Sequence, residues 1–209
     1  MLKIGKIPMG MVRTNCYFVY KEGTKRVLFI DPADRGDILY EKLTEAGFEV
    51  AAILLTHGHF DHIWGVAKLK ELSGAKVYAL EAERELLEDV HLNVSADVGR
   101  PCTVKADVFF KDGEKVSIED IVFEVIATPG HTIGSCCFYF KEDGILVSGD
   151  TLFEGSVGRT DLPTGSESAL IRSIREKLLV LPKDVKVYPG HEGSTTIGQE
   201  AEYNPYIAY

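Results

Sequence analysis

The stretch Thr56-His57-Gly58-His59-Phe60-Asp61-His62 decides how the rest of the chain is read. It follows the wholly apolar run Ala51–Leu55, which has the character of a buried strand. It precedes Ile63–Leu72, where Ile63, Val66, Ala67, Leu69 and Leu72 fall on one side of a helix. Four side chains able to bind metal therefore stand at a strand-to-helix junction, where layered α/β proteins present functional groups. On extended chain His57 and His59 project to the same side, and Gly58 lets the backbone turn tightly between them. Asp61 and His62 lie on the turn into the helix and reach a neighbouring point. One ion cannot easily use all four groups; two adjacent ions can. The chain has six histidines, three of them here. Packing or solubility does not account for that density, and metal binding does.

Working outward, three more residues share the setting. His131 lies in Thr128-Pro129-Gly130-His131-Thr132 after the run Ile121–Ala127. Asp150 lies in Ser148-Gly149-Asp150-Thr151 after Ile145–Val147. His191 lies in Tyr188-Pro189-Gly190-His191 after Val185–Val187. Each follows a glycine at the C-terminal end of a strand, the end where open α/β sheets place their sites. A lone Gly-His or Gly-Asp is as a rule a solvated or capping group; these gain meaning only together with the first cluster. The set is five His and two Asp with no thiolate, which suits zinc, iron or manganese. His91, in the patternless segment 91–103, is read as a surface or packing residue.

The surrounding chain reads as strand (Asn15–Lys21), strand (Arg26–Ile30), helix, strand, then a β-rich block from Val104 to Val147, then a helix over Ser166–Leu181 and a strand over Val185–Tyr188. Helices are also expected over Asp37–Ala46 and Ala82–Asp89, and a strand over Lys76–Leu80. That order suggests two sheet-containing layers flanked by helices. With 209 residues, 45% hydrophobic and 26% charged, the chain fits one large domain with its own core. A net charge of −9 argues against backbone-driven nucleic-acid binding, nucleases included, but not against a small anionic substrate, since bound cations invert the local field. No run is long and apolar enough for a membrane span, and Lys3, Lys6 and Pro8 break any signal-peptide core. The four cysteines show no Cys-x-x-Cys spacing; reduced thiols in a cytoplasmic protein are the expectation. Cys136 and Cys137, if on a strand, point to opposite faces.

His57–His62 (HGHFDH), Pro129–Thr132 (PGHT), Gly149–Phe153 (GDTLF) and Pro189–Gly193 (PGHEG) together resemble the signature series of the metallo-β-lactamase-fold hydrolases. The segments Gly155–Pro163 and Thr195–Glu200 resemble most the glyoxalase II-like (hydroxyacylglutathione hydrolase-like) bacterial branch. The resemblance implies an α+β fold, an αββα sandwich in a single domain over 1–209, with the metals along one edge. It implies a first metal on His57, His59 and His131, a second on Asp61, His62 and His191, and Asp150 bridging them. Two divalent ions, zinc first and iron or manganese next, are the implied cofactors. Two departures narrow the expectation. No cysteine stands in the four motifs, which disfavours antibiotic hydrolysis. The chain stops soon after His191, so the helical C-terminal domain that contacts glutathione in full glyoxalase II enzymes is not expected.

The chemistry then expected is attack of a metal-bridging hydroxide on a carbonyl, with Asp61 and Asp150 as catalytic carboxylates. Two dications, two aspartates and one hydroxide sum to roughly +1, which suits a small anionic substrate. A thiol with pKa near 8.5 leaves without an acid catalyst, so an acyl thioester fits better than an amide. Arg159 meets a substrate carboxylate or, equally, anchors its own loop by an ion pair. Tyr188, Tyr203 and Tyr206 line the cleft or simply pack. Two rivals stand beside the hydrolase. One is a mononuclear iron persulfide dioxygenase of the same fold, using His57, His131 and Asp150. The other is a non-catalytic metal-binding module, which the completeness of the ligand set disfavours.

Overall fold

The computed structural model describes residues 1–207. Two six-stranded sheets face each other. The first has the order β1 (Leu2–Met9), β2 (Thr14–Lys21), β3 (Arg26–Ile30), β4 (Glu49–Leu54), β5 (Lys76–Leu80), β6 (Val108–Phe110). The pairs β1–β2 and β2–β3 are antiparallel; from β3 to β6 the strands run parallel. The second sheet includes β7 (Lys115–Ile118), β8 (Ile121–Ala127), β9 (Cys136–Phe140), β10 (Ile145–Gly149), β13 (Lys186–Pro189) and β14 (Thr195–Thr196), in the order β14-β13-β10-β9-β8-β7. Only the β10–β13 pair is parallel in it. Strands β11 (Leu152–Phe153) and β12 (Ser156–Val157) pair antiparallel as a separate two-stranded ribbon.

Strict alternation builds the layers. On β3, Leu28 and Ile30 point between the sheets, where Ala52, Leu54, Phe110, Phe123, Phe138 and Phe140 meet them. Val27 and Phe29 point the other way, under helices α1 (Gly36–Glu45) and α3 (Val66–Ser73). On β9, Cys136 joins the inter-sheet core and Cys137 the outer layer beneath helix α5 (Glu167–Ser173). The adjacent cysteines thus take opposite faces, as period-two geometry demands. Each fully buried Phe in the middle layer contributes about 1.5–3 kcal/mol of hydrophobic stabilisation. The αββα sandwich expected from the motif series is therefore the architecture found.

Four elements differ from the expectation. Strand β1 went unread, because Lys3, Lys6 and Pro8 interrupt its apolar alternation. It is an edge strand, where lysine and proline are tolerated and guard against stray pairing. The expected helix over Ile63–Leu72 is two pieces, α2 (Phe60–Ile63) and α3. The chain breaks at Gly65, whose N–H leaves the helix to donate to Pro32 O at 2.8 Å. The helix Ser166–Leu181 ends its α-helical part at Ser173 and continues as a wider turn over Ile174–Leu178. Helix α6 (Ile197–Tyr203) carries Ile197 into the outer core and was not read as a helix. Among the described residues no helix is long and apolar enough to cross a membrane.

Candidate metal centre

All seven expected groups meet at one edge of the sandwich. Asp31 follows β3, the His57–His62 loop follows β4, His131 follows β8, Asp150 follows β10 and His191 follows β13. His59 Nδ1 lies 2.8 Å from His131 Nε2, which lies 3.2 Å from His57 Nε2. Asp61 Oδ2 is 3.6 Å from His62 Nε2 and 3.3 Å from His191 Nε2. Asp150 reaches both groups: Oδ1 is 3.3 Å from His62, and Oδ2 is 3.3 Å from His191 and 3.6 Å from His131. Three sets of ligand atoms close enough to share an ion result: His57–His59–His131, His57–His62–Asp150 and Asp61–His62–His191.

The outer partners decide which ring nitrogens face inward. His131 Nδ1–H donates to Arg159 O at 2.7 Å, leaving Nε2 as a bare lone pair. Asp31 accepts from His62 Nδ1 at 2.9 Å and from Thr56 Oγ1 at 2.6 Å. With its own hydrogen given to Asp31, Thr56 Oγ1 accepts from His57 Nδ1 at 3.2 Å. With their Nδ1 atoms so engaged, His57, His62 and His131 turn Nε2 toward the centre, the arrangement metal-binding imidazoles use. Thr14 Oγ1 donates to Asp61 Oδ2 at 2.8 Å.

These groups fit a pair of cations. On the inner side of the cluster, His62 Nε2 and Asp150 Oδ1 are buried with no hydrogen-bond partner, a costly state that a metal relieves. Burial, then the neighbouring rings, holds His57 well below the ordinary imidazole range and His59 down to about 3, so both are neutral and free to ligate. Burial lowers His131 as well. Burial also opposes charge on His62 and His191, but the surrounding carboxylates outweigh it, raising His62 and lifting His191 to about 9. Asp150 is buried too, yet His62 and His191 hold it ionised.

Gly149 and Gly190 admit this crowding. Gly149 takes φ +49, and a Cβ there would strike Thr56 Oγ1. A Cβ on Gly190 would strike Asp150 Oδ1 and lie 2.8 Å from His62 Cε1.

A pocket of about 400 Å³ opens over the centre, walled by Val12, Phe60, Phe153, Val157 and Leu162 together with Arg159 and Glu192. Arg159 is engaged by Asp161 through two 2.7 Å bonds, so the ion-pair alternative is realised. Tyr188 packs edge-on against Tyr17 at 5.7 Å, and Tyr203 and Tyr206 are exposed; none of the three lines the pocket. His91 is exposed and apart from the cluster, as expected. Two organising residues escaped the sequence. Asp31 looked like the end of a strand. Glu83 falls in the expected helix Ala82–Asp89 but is buried, accepting from Gly58 N (2.8 Å), Thr132 Oγ1 (2.8 Å) and Gly134 N (2.8 Å). The run of acid and apolar residues around Glu83 carries no local signal for either role.

The sequence model of the Metallo-beta-lactamase superfamily matches residues 9–191. The chain belongs to this superfamily. Probable metallo-hydrolase YqgX of Bacillus subtilis is 36% identical, over 99% of this chain and 98% of its own. Hydroxyacylglutathione hydrolase GloC of Haemophilus influenzae is 33% identical, over 99% and 98%. Among solved structures, BLEG-1 B3 metallo-beta-lactamase superposes with TM-score 0.94 at 38% identity, covering 99% of this chain and 100% of that one. TTHA1623 in a di-iron-bound form gives 0.87 at 35% identity, covering 97% and 100%. Superfamily membership agrees with a metal-binding hydrolase site built on the His/Asp cluster.

Proposed function

We propose that the chain is a dinuclear metallo-hydrolase acting on small acyl thioesters. The observation that carries this reading is Asp150, whose carboxylate lies 3.3–3.6 Å from His62, His131 and His191 and so joins the two halves of the cluster. His57, His59 and His131 would hold one ion, Asp61, His62 and His191 the other, with Asp150 shared. Bound there, two divalent ions supply a water acidified to near-neutral pKa and an electrophile for a carbonyl oxygen.

The chain's own groups do the rest. Val12, Phe60, Phe153 and Leu162 offer apolar walls to an acyl group and exclude water from one side of it. Asp61, fixed by Thr14, and Asp150 are the carboxylates placed to receive the proton of the attacking water. Outside the cluster the ionisable lining is Arg159, which does not release its proton, and Glu192. A thiolate leaves without an acid; an unstrained amide nitrogen does not. The similarity to GloC supports the same choice. Zinc is the metal this donor set suits first, and the di-iron form of TTHA1623 supports iron as the alternative. All four cysteines are free and three are buried, which agrees with a reducing cytoplasm.

The similarity to BLEG-1 favours a second substrate class, β-lactams, although no cysteine enters the cluster. One experiment separates the readings: elemental analysis of the purified protein, paired with a panel of acyl thioesters, a β-lactam and a persulfide with oxygen uptake recorded. Two metals per chain and thioester cleavage without oxygen uptake are expected. One iron per chain with oxygen consumed on the persulfide, or preference for the β-lactam, overturns the thioester reading.

A further inference from the structure

The pocket over the cluster continues past His191. A second cavity of about 520 Å³ adjoins it, and the two share Val12, His191 and Glu192 in their walls. The remaining wall carries Lys6, Pro8, Arg13 and Asn15. Lys6 and Pro8 stand two apart on β1 and project from one face. Arg13 sits in the turn between β1 and β2 with φ 57, its N–H donating to Gly10 O at 3.3 Å. Both cations are exposed, and among the described residues neither enters an ion pair.

This hairpin is tied to the metal-centre loops. Thr14 Oγ1 bonds Asp61, Asn15 N–H donates to Gly190 O at 2.7 Å, and Asn15 Nδ2 donates to Pro189 O at 2.9 Å and Glu192 O at 3.1 Å. Tyr17 OH adds a bond to Pro189 O at 2.8 Å. The bonds run from the cation-bearing hairpin directly to the loops of Asp61 and His191. Arg159, by contrast, already has its partner in Asp161. Glu192 is the one carboxylate shared by the two cavities beyond the cluster, so Lys6 and Arg13 leave the outer groove with one positive charge in excess. That is a local reversal in a chain of net charge −9.

We propose that Lys6 and Arg13 form a subsite for an anionic group, carboxylate or phosphate, at the far end of the substrate's thiol arm. The acyl end then lies in the adjoining pocket over the His/Asp cluster. The proposal rests on the thioester reading and names the class of carrier. Arginine presents a planar fork matched to either anion, and lysine a mobile point charge. Because both are exposed, their pull is modest, weakened by salt, and falls on binding and encounter more than on the chemical step.

The test compares two matched pairs of S-acetyl thioesters: phosphopantetheine against pantetheine, and glutathione against its dimethyl ester. For each pair the ratio of kcat/KM, the member bearing the carboxylates or phosphate over the member lacking them, is measured in the wild type and in the double variant Lys6→Glu/Arg13→Glu. The ratio is expected to fall about five- to tenfold for at least one pair, carried by KM and shrinking as salt is added. The pair that responds identifies the anion. An unchanged ratio in both pairs overturns the subsite. If the wild type cleaves none of the four, the thioester reading fails separately. The subsite is then judged by calorimetry with S-methylglutathione and S-methylphosphopantetheine. Tighter binding by the wild type than by the variant upholds it; equal or undetectable binding overturns it.

Discussion

Asp31 shows how one carboxylate can prepare several ligands. It takes hydrogen bonds from the Thr56 N–H (2.8 Å), the Thr56 hydroxyl and His62, and through that hydroxyl it also sets His57. Its backbone is held at φ +53, a conformation that costs a non-glycine residue about 1–3 kcal/mol and persists only where the surroundings over-determine it. Here they do, since its N–H donates to Leu54 O at 3.0 Å while its side chain is fully engaged. The inner residues are simpler. His59 is buried, with Nδ1 facing His131 and Nε2 unpartnered. His59→Ala is expected to lose at least about 100-fold in metal affinity, more than removal of an outer partner typically costs, with loss of turnover. Metal titration and steady-state assay check this, and far-UV circular dichroism is expected to stay unchanged. Unaltered activity in that variant would remove the site assignment. The seven inner groups were legible in the sequence because each sits in a glycine-marked motif at a strand end. Asp31 and Glu83 were not, because their partners are 25 or more positions away in the chain.

At the scale of elements, Glu83 joins two of the loops that carry the centre. It lies in the turn before α4 (Arg84–Glu88), accepts from Gly58 between His57 and His59, and accepts from Thr132 and Gly134 beside His131. Burial pushes its carboxyl from 4.5 up to about 7, against the pull of those three donors. Folding therefore favours the protonated form. The stability this confers is complete below about pH 4.5 and disappears as pH rises through about 7. Glu83→Gln has no such titration. The stability of the wild type relative to the variant is thus expected to decline by on the order of 3 kcal/mol between those limits, at about 1.4 kcal/mol per pH unit. Urea unfolding of the metal-free proteins at a series of pH values checks it; a flat difference refutes it. Element boundaries were less legible than element types. Periodicity located β3 and β5 correctly, but the break between α2 and α3 depends on Pro32 O, supplied by a distant loop.

Over the whole molecule, the centre is assembled from five strand ends in two sheets, so it exists only in the folded state. A cation held there stabilises the fold by mass action, about 1.4 kcal/mol for each tenfold excess of free metal over its dissociation constant. Stripping metal with a chelator is accordingly expected to lower Tm, and readdition to restore it, as read by differential scanning calorimetry. A Tm indifferent to metal would mean that the cluster is satisfied by its own protons and ion pairs. The sequence by itself determined the layer plan and the seven inner groups, because alternation in the strands and glycine-flanked ligand motifs are local patterns. Only the tertiary structure decided that Asp31 and Glu83 tie the loops of the centre together, that Arg159 is taken by Asp161, and that Lys6 and Arg13 border the site. Those facts follow from packing one sheet on the other and from hydrogen bonds between loops far apart in the chain, and no local pattern encodes which strand ends will meet.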